Sequence, residues 1–137
     1  MPSDLKKIFK LGIFPFLIFM FNTSFLSIAE EVYLKYSIDS FSHFLGGISM
    51  AYIAYHALSW AEKKGWLTIK KSVMRMILIV MAVTTVAVVW EFYEFTYDQY
   101  YWGNFMQPNV ADTIKDLSLG IIGALVFSTI KLHKKKK

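Results

Sequence analysis

Residues 73–92 read VMRMILIVMAVTTVAVVWEF, a run of 20 residues in which only Arg75 and Glu91 are charged. A helix rises about 1.5 Å per residue, so this run is long enough to cross the roughly 30 Å hydrocarbon core of a bilayer. Water does not reach backbone groups at that depth, and the chain lacks the alternating ten-residue segments of a membrane barrel. We therefore predict a transmembrane helix here.

The same pattern recurs along the chain. Apolar windows near residues 10–29, 41–60 and 113–132 join the window near 73–94 to make four. The 137 residues are 55% hydrophobic, more than a soluble domain of this size carries. We predict an all-α membrane protein with a single four-helix transmembrane domain over residues 1–137, a multi-pass protein of the cell membrane.

The basic residues decide the orientation. Of 15 Lys and Arg residues, 13 lie before the first window, around the connection between the second and third windows, or in the tail. Short loops rich in Lys and Arg stay in the cytoplasm, which places both termini inside. Anionic lipid headgroups account for such clusters, so we expect no nucleic-acid partner.

One alternative concerns the first window. A basic start, an apolar run and Ser27-Ile28-Ala29 resemble a cleavable signal peptide, whose removal would leave three spans. The apolar run is long for a signal peptide, so we favour a retained first span.

Polar side chains occur in three pairs at helical spacing, so that each pair shares one face of its helix. The pairs are Asp39 with His43, Glu91 with Glu94, and Asp112 with Asp116. In the four-span topology, all three pairs lie at the outer ends of their helices. We therefore expect five carboxylates and one imidazole to converge in the outer leaflet, with His43, Glu91 and Asp116 in close approach.

Helix ends often carry charges, and Asp112 could simply cap the fourth helix. Acidic groups deeper in a span are costly and usually have a partner, which favours a site at Glu91 and Asp116. The basic candidates nearby are His43, Lys35 and Lys115, too few for five carboxylates. Either some carboxyl groups are protonated, or a hard divalent cation joins them.

The three pairs suggest a role for each of their residues. The oxygen ligands or acid/base groups would be Glu91, Glu94, Asp112 and Asp116. His43 would be a ligand or a proton shuttle, and Asp39 would orient its ring. Any catalytic chemistry would fall to Glu91, Asp116 and His43. His56 lies about 20 Å below His43 along the helix and is expected to lie outside the site.

Two further features concern packing and the outer connection. Small residues on the second and fourth windows should let those backbones approach closely. They are Gly46, Gly47, Ala51, Gly120, Gly123 and Ala124. The outer connection, residues 95–112, contains six aromatic residues, which suit an anchor at headgroup level or a lid over the site.

The ordered motifs resemble those of a known family. They are Asp39-x-x-x-His43-Phe44-x-x-Gly47, Glu91-x-x-Glu94, Asp112-x-x-x-Asp116-Leu117 and Gly123-Ala124. This pattern, over roughly residues 39–125, resembles the YjdF-like family of membrane proteins and, more distantly, the VanZ-like family linked to glycopeptide resistance. The resemblance implies a four-helix membrane architecture with a shared polar site and no established reaction.

Three functions fit these features. The first is a site that binds a divalent cation and holds or acts on an envelope lipid or its headgroup, with a lipid-linked substrate as one candidate. The second is a proton- or cation-coupled transporter, which at this size would need to form a homo-oligomer. The third is a non-catalytic subunit of a larger membrane complex. Whether the protein is an enzyme is left open by the sequence.

Overall fold

The computed structural model describes residues 3–28, 38–102 and 109–133, together with Val32 and Gln107. These residues form four long helices and no strand, which confirms the predicted all-α class. The helices are α1 (Ser3–Ile28), α2 (Ile38–Lys63), α3 (Ser72–Tyr97) and α4 (Val110–His133). A turn of π-helix, Asp98–Trp102, continues α3.

Two segments are long and apolar enough to cross a membrane, Ser72–Tyr100 and Val110–His133. In α1, the corresponding apolar stretch, Lys10–Asn22, is shorter. Length and composition therefore support two candidate spans, and the four-span topology and the orientation stay predictions.

The outer connection is shorter than the 95–112 predicted from sequence. α3 runs to Tyr97, the π-helical turn continues to Trp102, and α4 begins at Val110. The backbone N–H of Asp98 donates to the carbonyls of Glu94 and Phe95, so the helical hydrogen bonding continues past the predicted boundary. Aromatic residues are compatible with a helix, so Phe95 and Tyr97 extend α3 beyond the apolar window.

Close packing of α2 and α4 forms the centre of the molecule. A Cβ atom on Gly47 would lie 2.2 Å from the Gly120 carbonyl oxygen, and one on Gly123 would lie 2.4 Å from that of Phe44. These three glycines, the glycine crossing, let the two backbones touch, as the sequence predicted. Gly46 plays no part in it, because a Cβ there would meet nothing within 4 Å.

The remaining packing leaves large apolar side chains outside. α3 packs across α2 and α4, and α1 packs against α2. The buried apolar core is small, formed by Ala51, Ile79, Val83 and Ala124. By contrast, Val89 and Phe92 on α3 are about two-thirds exposed. Small residues inside and large apolar residues outside are typical of helices that pack within lipid.

The end of the bundle near the α2–α3 connection, the arginine end, holds one buried cation. Arg75 pairs with the Glu62 carboxylate, donates to Ser59 Oγ at 3.3 Å, and lies over the Tyr55 ring. The other Glu62 oxygen accepts the backbone N–H of Ile69 at 3.1 Å. The protein therefore supplies the counter-charge for Arg75. The Glu62 carboxylate also holds the α2–α3 connection through the backbone of Ile69.

Candidate functional site

The three predicted pairs of polar residues meet at the opposite end of the bundle. The start of α2 supplies Asp39 and His43, the end of α3 supplies Glu91 and Glu94, and the start of α4 supplies Asp112 and Asp116. These six residues are called the carboxylate cluster below. They converge because α2 and α4 start, and α3 ends, at the same end of the bundle. The structure brings all six together.

His43 lies at the centre of the cluster. Its Nε2 atom is 3.5 Å from Asp39 Oδ1, 3.9 Å from Glu94 Oε1 and 4.0 Å from Asp116 Oδ2. On the other side of the ring, Nδ1 is 4.0 Å from Glu91 Oε1. The imidazole therefore lies within about 4 Å of carboxylates from three helices. Each of its two nitrogens has at least one carboxylate opposite it. Each distance is longer than a strong hydrogen bond, which leaves room between the groups.

The cluster has a buried floor and a more open rim. Glu91 is 6% exposed, Glu94 and Asp116 are each 1% exposed, and the His43 side chain is 8% exposed. The side chains of Asp39 and Asp112 are about twice as exposed as that of His43. Burial of several acidic groups at one place is costly unless hydrogen bonds or a counter-charge satisfies them.

Two neutral residues that the sequence did not indicate donate hydrogen bonds to the buried carboxylates of the cluster. Trp90 donates its indole N–H to Glu94 Oε1 at 2.7 Å. The amide of Gln107 donates to Glu91 Oε2 at 3.0 Å and to Thr113 Oγ1 at 2.7 Å, and so joins α3 to α4. Trp90 lies one turn before Glu94, a spacing that could have revealed it. No sequence signal marks Gln107, which lies in the connection.

The alternative that Asp112 caps α4 is wrong. Asn109 is the cap, since its side-chain Oδ1 accepts the backbone N–H of Asp112 at 3.1 Å. Asp112 instead pairs with Lys115, whose Nζ also lies 3.7 Å from Asp116 Oδ1. Lys115 is the one Lys or Arg paired with the cluster among the described residues, and Lys35 lies outside them.

Part of the floor is left without hydrogen bonds. His43 Nε2, Glu91 Oε1 and Asp116 Oδ1 are buried polar atoms with no hydrogen-bond partner in the described structure. The same three residues can each offer a ligand atom within 4.8 Å of the other two. Two further triads with that spacing share members with the first, Asp39–His43–Glu94 and Asp39–Asp112–Asp116. Oxygen atoms with one imidazole form a donor set suited to a divalent cation.

The remaining polar and aromatic candidates lie away from the cluster or are not described. The His56 ring packs edge-on against Tyr52 and Tyr55, at ring distances of 4.5 and 5.4 Å, as expected of a residue outside the site. In the outer connection, Phe105 and the side chain of Trp102 lie outside the described residues. The predicted aromatic anchor or lid therefore stays a prediction.

An apolar cleft of about 220 Å³ adjoins the cluster. All four helices line it, with Ile18, Met50 and Val86 among its apolar walls. His43 belongs to both the cleft and the cluster, and Trp90, which lines the cleft, donates to Glu94 of the cluster. The polar site therefore opens onto an apolar space inside the bundle.

Comparison with known proteins gives one match. A family model described as "Predicted membrane protein (DUF2238)" matches residues 3–137. This match confirms the resemblance to the YjdF-like family, and it gives no support to the VanZ-like resemblance. No curated protein and no solved structure matches the chain.

Proposed function

The chain belongs to the DUF2238 family of predicted membrane proteins, and from its carboxylate cluster we propose that it binds a divalent cation that holds, or acts on, the headgroup of an envelope lipid. The family description establishes a membrane protein, and the ion and the lipid are the proposal. The cation is the only cofactor that we propose. Membrane lipids are the expected partners.

One observation carries this proposal. His43, Glu91 and Asp116 come from three different helices, each has a buried polar atom without a hydrogen-bond partner, and each can offer a ligand atom within 4.8 Å of the other two. The cluster holds five carboxylates against one imidazole and the Lys115 ammonium. A bound divalent cation would offset this excess of negative charge and give the buried polar groups a partner.

The cluster suggests a division of roles around the ion. His43, Glu91 and Asp116 would be the central ligands, and Glu94 and Asp112, each in a triad that shares one residue with the central three, would be further oxygen ligands. Asp39, 3.5 Å from His43, would orient the imidazole. An anionic headgroup is repelled by the carboxylates alone, so the cation would mediate its binding. Any acid or base chemistry would use Glu91, Asp116 or His43 beside the bound headgroup.

Metal analysis of the detergent-purified protein tests the proposal. We expect one divalent ion per chain after incubation with Mg²⁺, Mn²⁺ or Ca²⁺ and removal of free ion. The variants Glu91→Gln, Asp116→Asn and His43→Gln should each weaken binding by at least about tenfold. His56→Gln is the matched control on the same helix and should bind normally. Absence of metal from the unaltered protein under all three conditions refutes the proposal.

The topology is the second part of the proposal. We propose four spans with both termini in the cytoplasm and the α3–α4 connection outside, supported by the distribution of Lys and Arg. The chain has no cysteine, so single cysteines introduced at Ser3 and Asn109 can be labelled without background. A membrane-impermeant maleimide should label Asn109→Cys from outside and leave Ser3→Cys unlabelled. The reverse pattern contradicts this topology.

The transport alternative receives less support from the packing. A relay needs polar side chains that connect the cluster with the arginine end. The buried side chains between them are the apolar Ala51, Ile79, Val83 and Ala124 and the hydroxyls of Ser49 and Ser128, none of which titrates. Thr84 donates its hydroxyl to the Val80 carbonyl of its own helix. The non-catalytic subunit alternative leaves the three unpartnered polar atoms unexplained. We therefore favour the cation and lipid site over both.

A further inference from the structure

The apolar cleft beside the carboxylate cluster has no role in the proposed cation site. We propose that it takes a hydrocarbon chain of the same membrane lipid whose headgroup the cluster holds. This inference rests on the proposed function for the headgroup and adds the ligand class, a lipid with at least one chain seated inside the bundle. The chain would run from His43 toward Met50, about 10 Å along α2.

The missing side chain of Gly46 leaves room in the apolar cleft. A glycine inside a helix costs about 1 kcal/mol relative to alanine, so it usually has a packing reason. Gly47 has one, since its missing side chain admits the Gly120 backbone. Gly46 lines the cleft, and a Cβ there would meet nothing within 4 Å. Its missing side chain therefore widens the cleft instead of bringing two helices together.

Two side chains link the cleft to the cluster. His43 is more than nine-tenths buried, lines the cleft, and has an Nε2 atom without a hydrogen-bond partner. The Trp90 ring also lines the cleft, while its indole N–H donates to Glu94 in the cluster. A single molecule with a polar head and an apolar chain would contact both regions at once.

The size and chemistry of the cleft suit a chain. Its volume of about 220 Å³ exceeds that of an engineered apolar cavity of about 150 Å³ that binds benzene. Lipid tails are as apolar as the cleft walls, so moving a chain from the bilayer into the cleft changes its free energy little. The cleft would therefore orient the lipid and select its chain, while the cluster would supply most of the affinity.

Photocrosslinking tests this inference. The protein is reconstituted in bilayers containing phosphatidylglycerol with a diazirine in one acyl chain, irradiated, and mapped by mass spectrometry. We expect labelling at Met50 and Val86 in addition to the exposed face of α3. Gly46→Leu should fill the cleft and reduce labelling at Met50 by about tenfold, equivalent to about 1.4 kcal/mol of occupancy free energy.

Gly12→Leu is the matched control, because Gly12 is also a helical glycine with open space and does not line the cleft. It should leave labelling at Met50 unchanged. If Gly46→Leu does not purify as a folded protein, Gly46→Ala still tests the idea, since its methyl group fits and should reduce labelling by a smaller factor. Labelling confined to exposed faces, unaffected by either Gly46 variant, overturns the inference.

Metal content measured on the same samples separates the two proposals. Labelling of the cleft in a protein without bound metal would refute the cation site and support the chain site. Bound metal in a protein whose cleft is never labelled would support the cation site and refute the chain site. Gly46→Leu should keep its metal, because Gly46 supplies no ligand atom.

Discussion

The two ends of the bundle both bury charge, and they treat it in opposite ways. At the arginine end, Arg75 is matched by Glu62, Ser59 and the Tyr55 ring, all from α2. In the carboxylate cluster, acidic groups outnumber their cationic partners, and His43, Glu91 and Asp116 each have an atom without a hydrogen bond. The first arrangement is complete within the protein. In the second, the proposed cation would supply the missing counter-charge, which is why we regard it as the functional end.

The largest effect is expected at the arginine end. Arg75→Ala should destabilise the protein by about 3 kcal/mol, because it removes the buried guanidinium with its ion pair to Glu62, its hydrogen bond to Ser59 and its contact with the Tyr55 ring. Unfolding by a denaturing detergent, followed by circular dichroism, measures this change. Lys71→Ala, at an exposed neighbouring position, should have little effect. Equal stability of Arg75→Ala and Lys71→Ala would contradict the conclusion that the contacts of Arg75 stabilise the arginine end.

The next effect concerns the glycine crossing between the two ends. Gly47→Ala should cost about 1–3 kcal/mol, since the added methyl group would overlap the Gly120 backbone and push α2 from α4. That displacement should also separate His43 from Asp116 and weaken metal binding. The same unfolding assay with a Mn²⁺ titration measures both changes. Gly46→Ala is the adjacent control and should keep stability and metal binding, and equal losses in the two variants would contradict the crossing.

A smaller effect with the opposite sign is expected in the cluster. Asp116→Asn should stabilise the metal-free protein by on the order of 1 kcal/mol. Carboxylate oxygens of Asp39 and Asp112 can lie within 4.8 Å of an Asp116 oxygen. Like charges at such a distance repel by roughly 3–4 kcal/mol at an effective dielectric constant of 20, and the attraction of Asp116 to His43 and Lys115 reduces the gain. With saturating metal, the order should reverse, because the unaltered protein gains binding free energy and the variant gains less. Melting curves with and without Mn²⁺ measure this, and loss of stability in both conditions would mean that the cluster is already satisfied.

The smallest effect is expected at the link between α3 and α4. Gln107→Leu removes the hydrogen bonds to Glu91 and Thr113 and should cost about 1 kcal/mol. Metal affinity should fall by less than it does for Glu91→Gln, because Gln107 only positions a ligand. Paired metal titrations of the two variants check this order. A greater loss in Gln107→Leu would indicate that its amide itself contacts the ion.

The sequence alone predicts the four helices and the convergence of the six residues of the carboxylate cluster. Spacings of three and four residues place each pair on one helix face, and the lengths of the windows place the three pairs at one depth. Asp39, Glu91 and Asp116 are far apart in the chain, so only their common predicted depth in the membrane indicated that the three pairs meet. The structure adds the distances between them.

Other features could not be read from the sequence. Adjacent residues of a helix point about 100° apart, so a Cβ on Gly47 would meet the α4 backbone while one on Gly46 would meet open space, and only the orientation of α2 in the bundle distinguishes them. Gln107 acts from a connection, where no periodicity applies. The end of α3 was misplaced because hydrogen bonds past Tyr97 depend on tertiary packing more than on local composition.

The close contact of α2 with α4 has a consequence for biogenesis. The most extensive helix pairing joins α2 and α4, with α3 between them in the chain. Membrane helices insert into the bilayer individually and associate afterwards. In the proposed four-span topology, the glycine crossing would therefore form only after α4 has been inserted, and the carboxylates of α2 and α3 would until then lack their full set of neighbours. We expect a nascent chain that ends before α4 to be a substrate for membrane quality control.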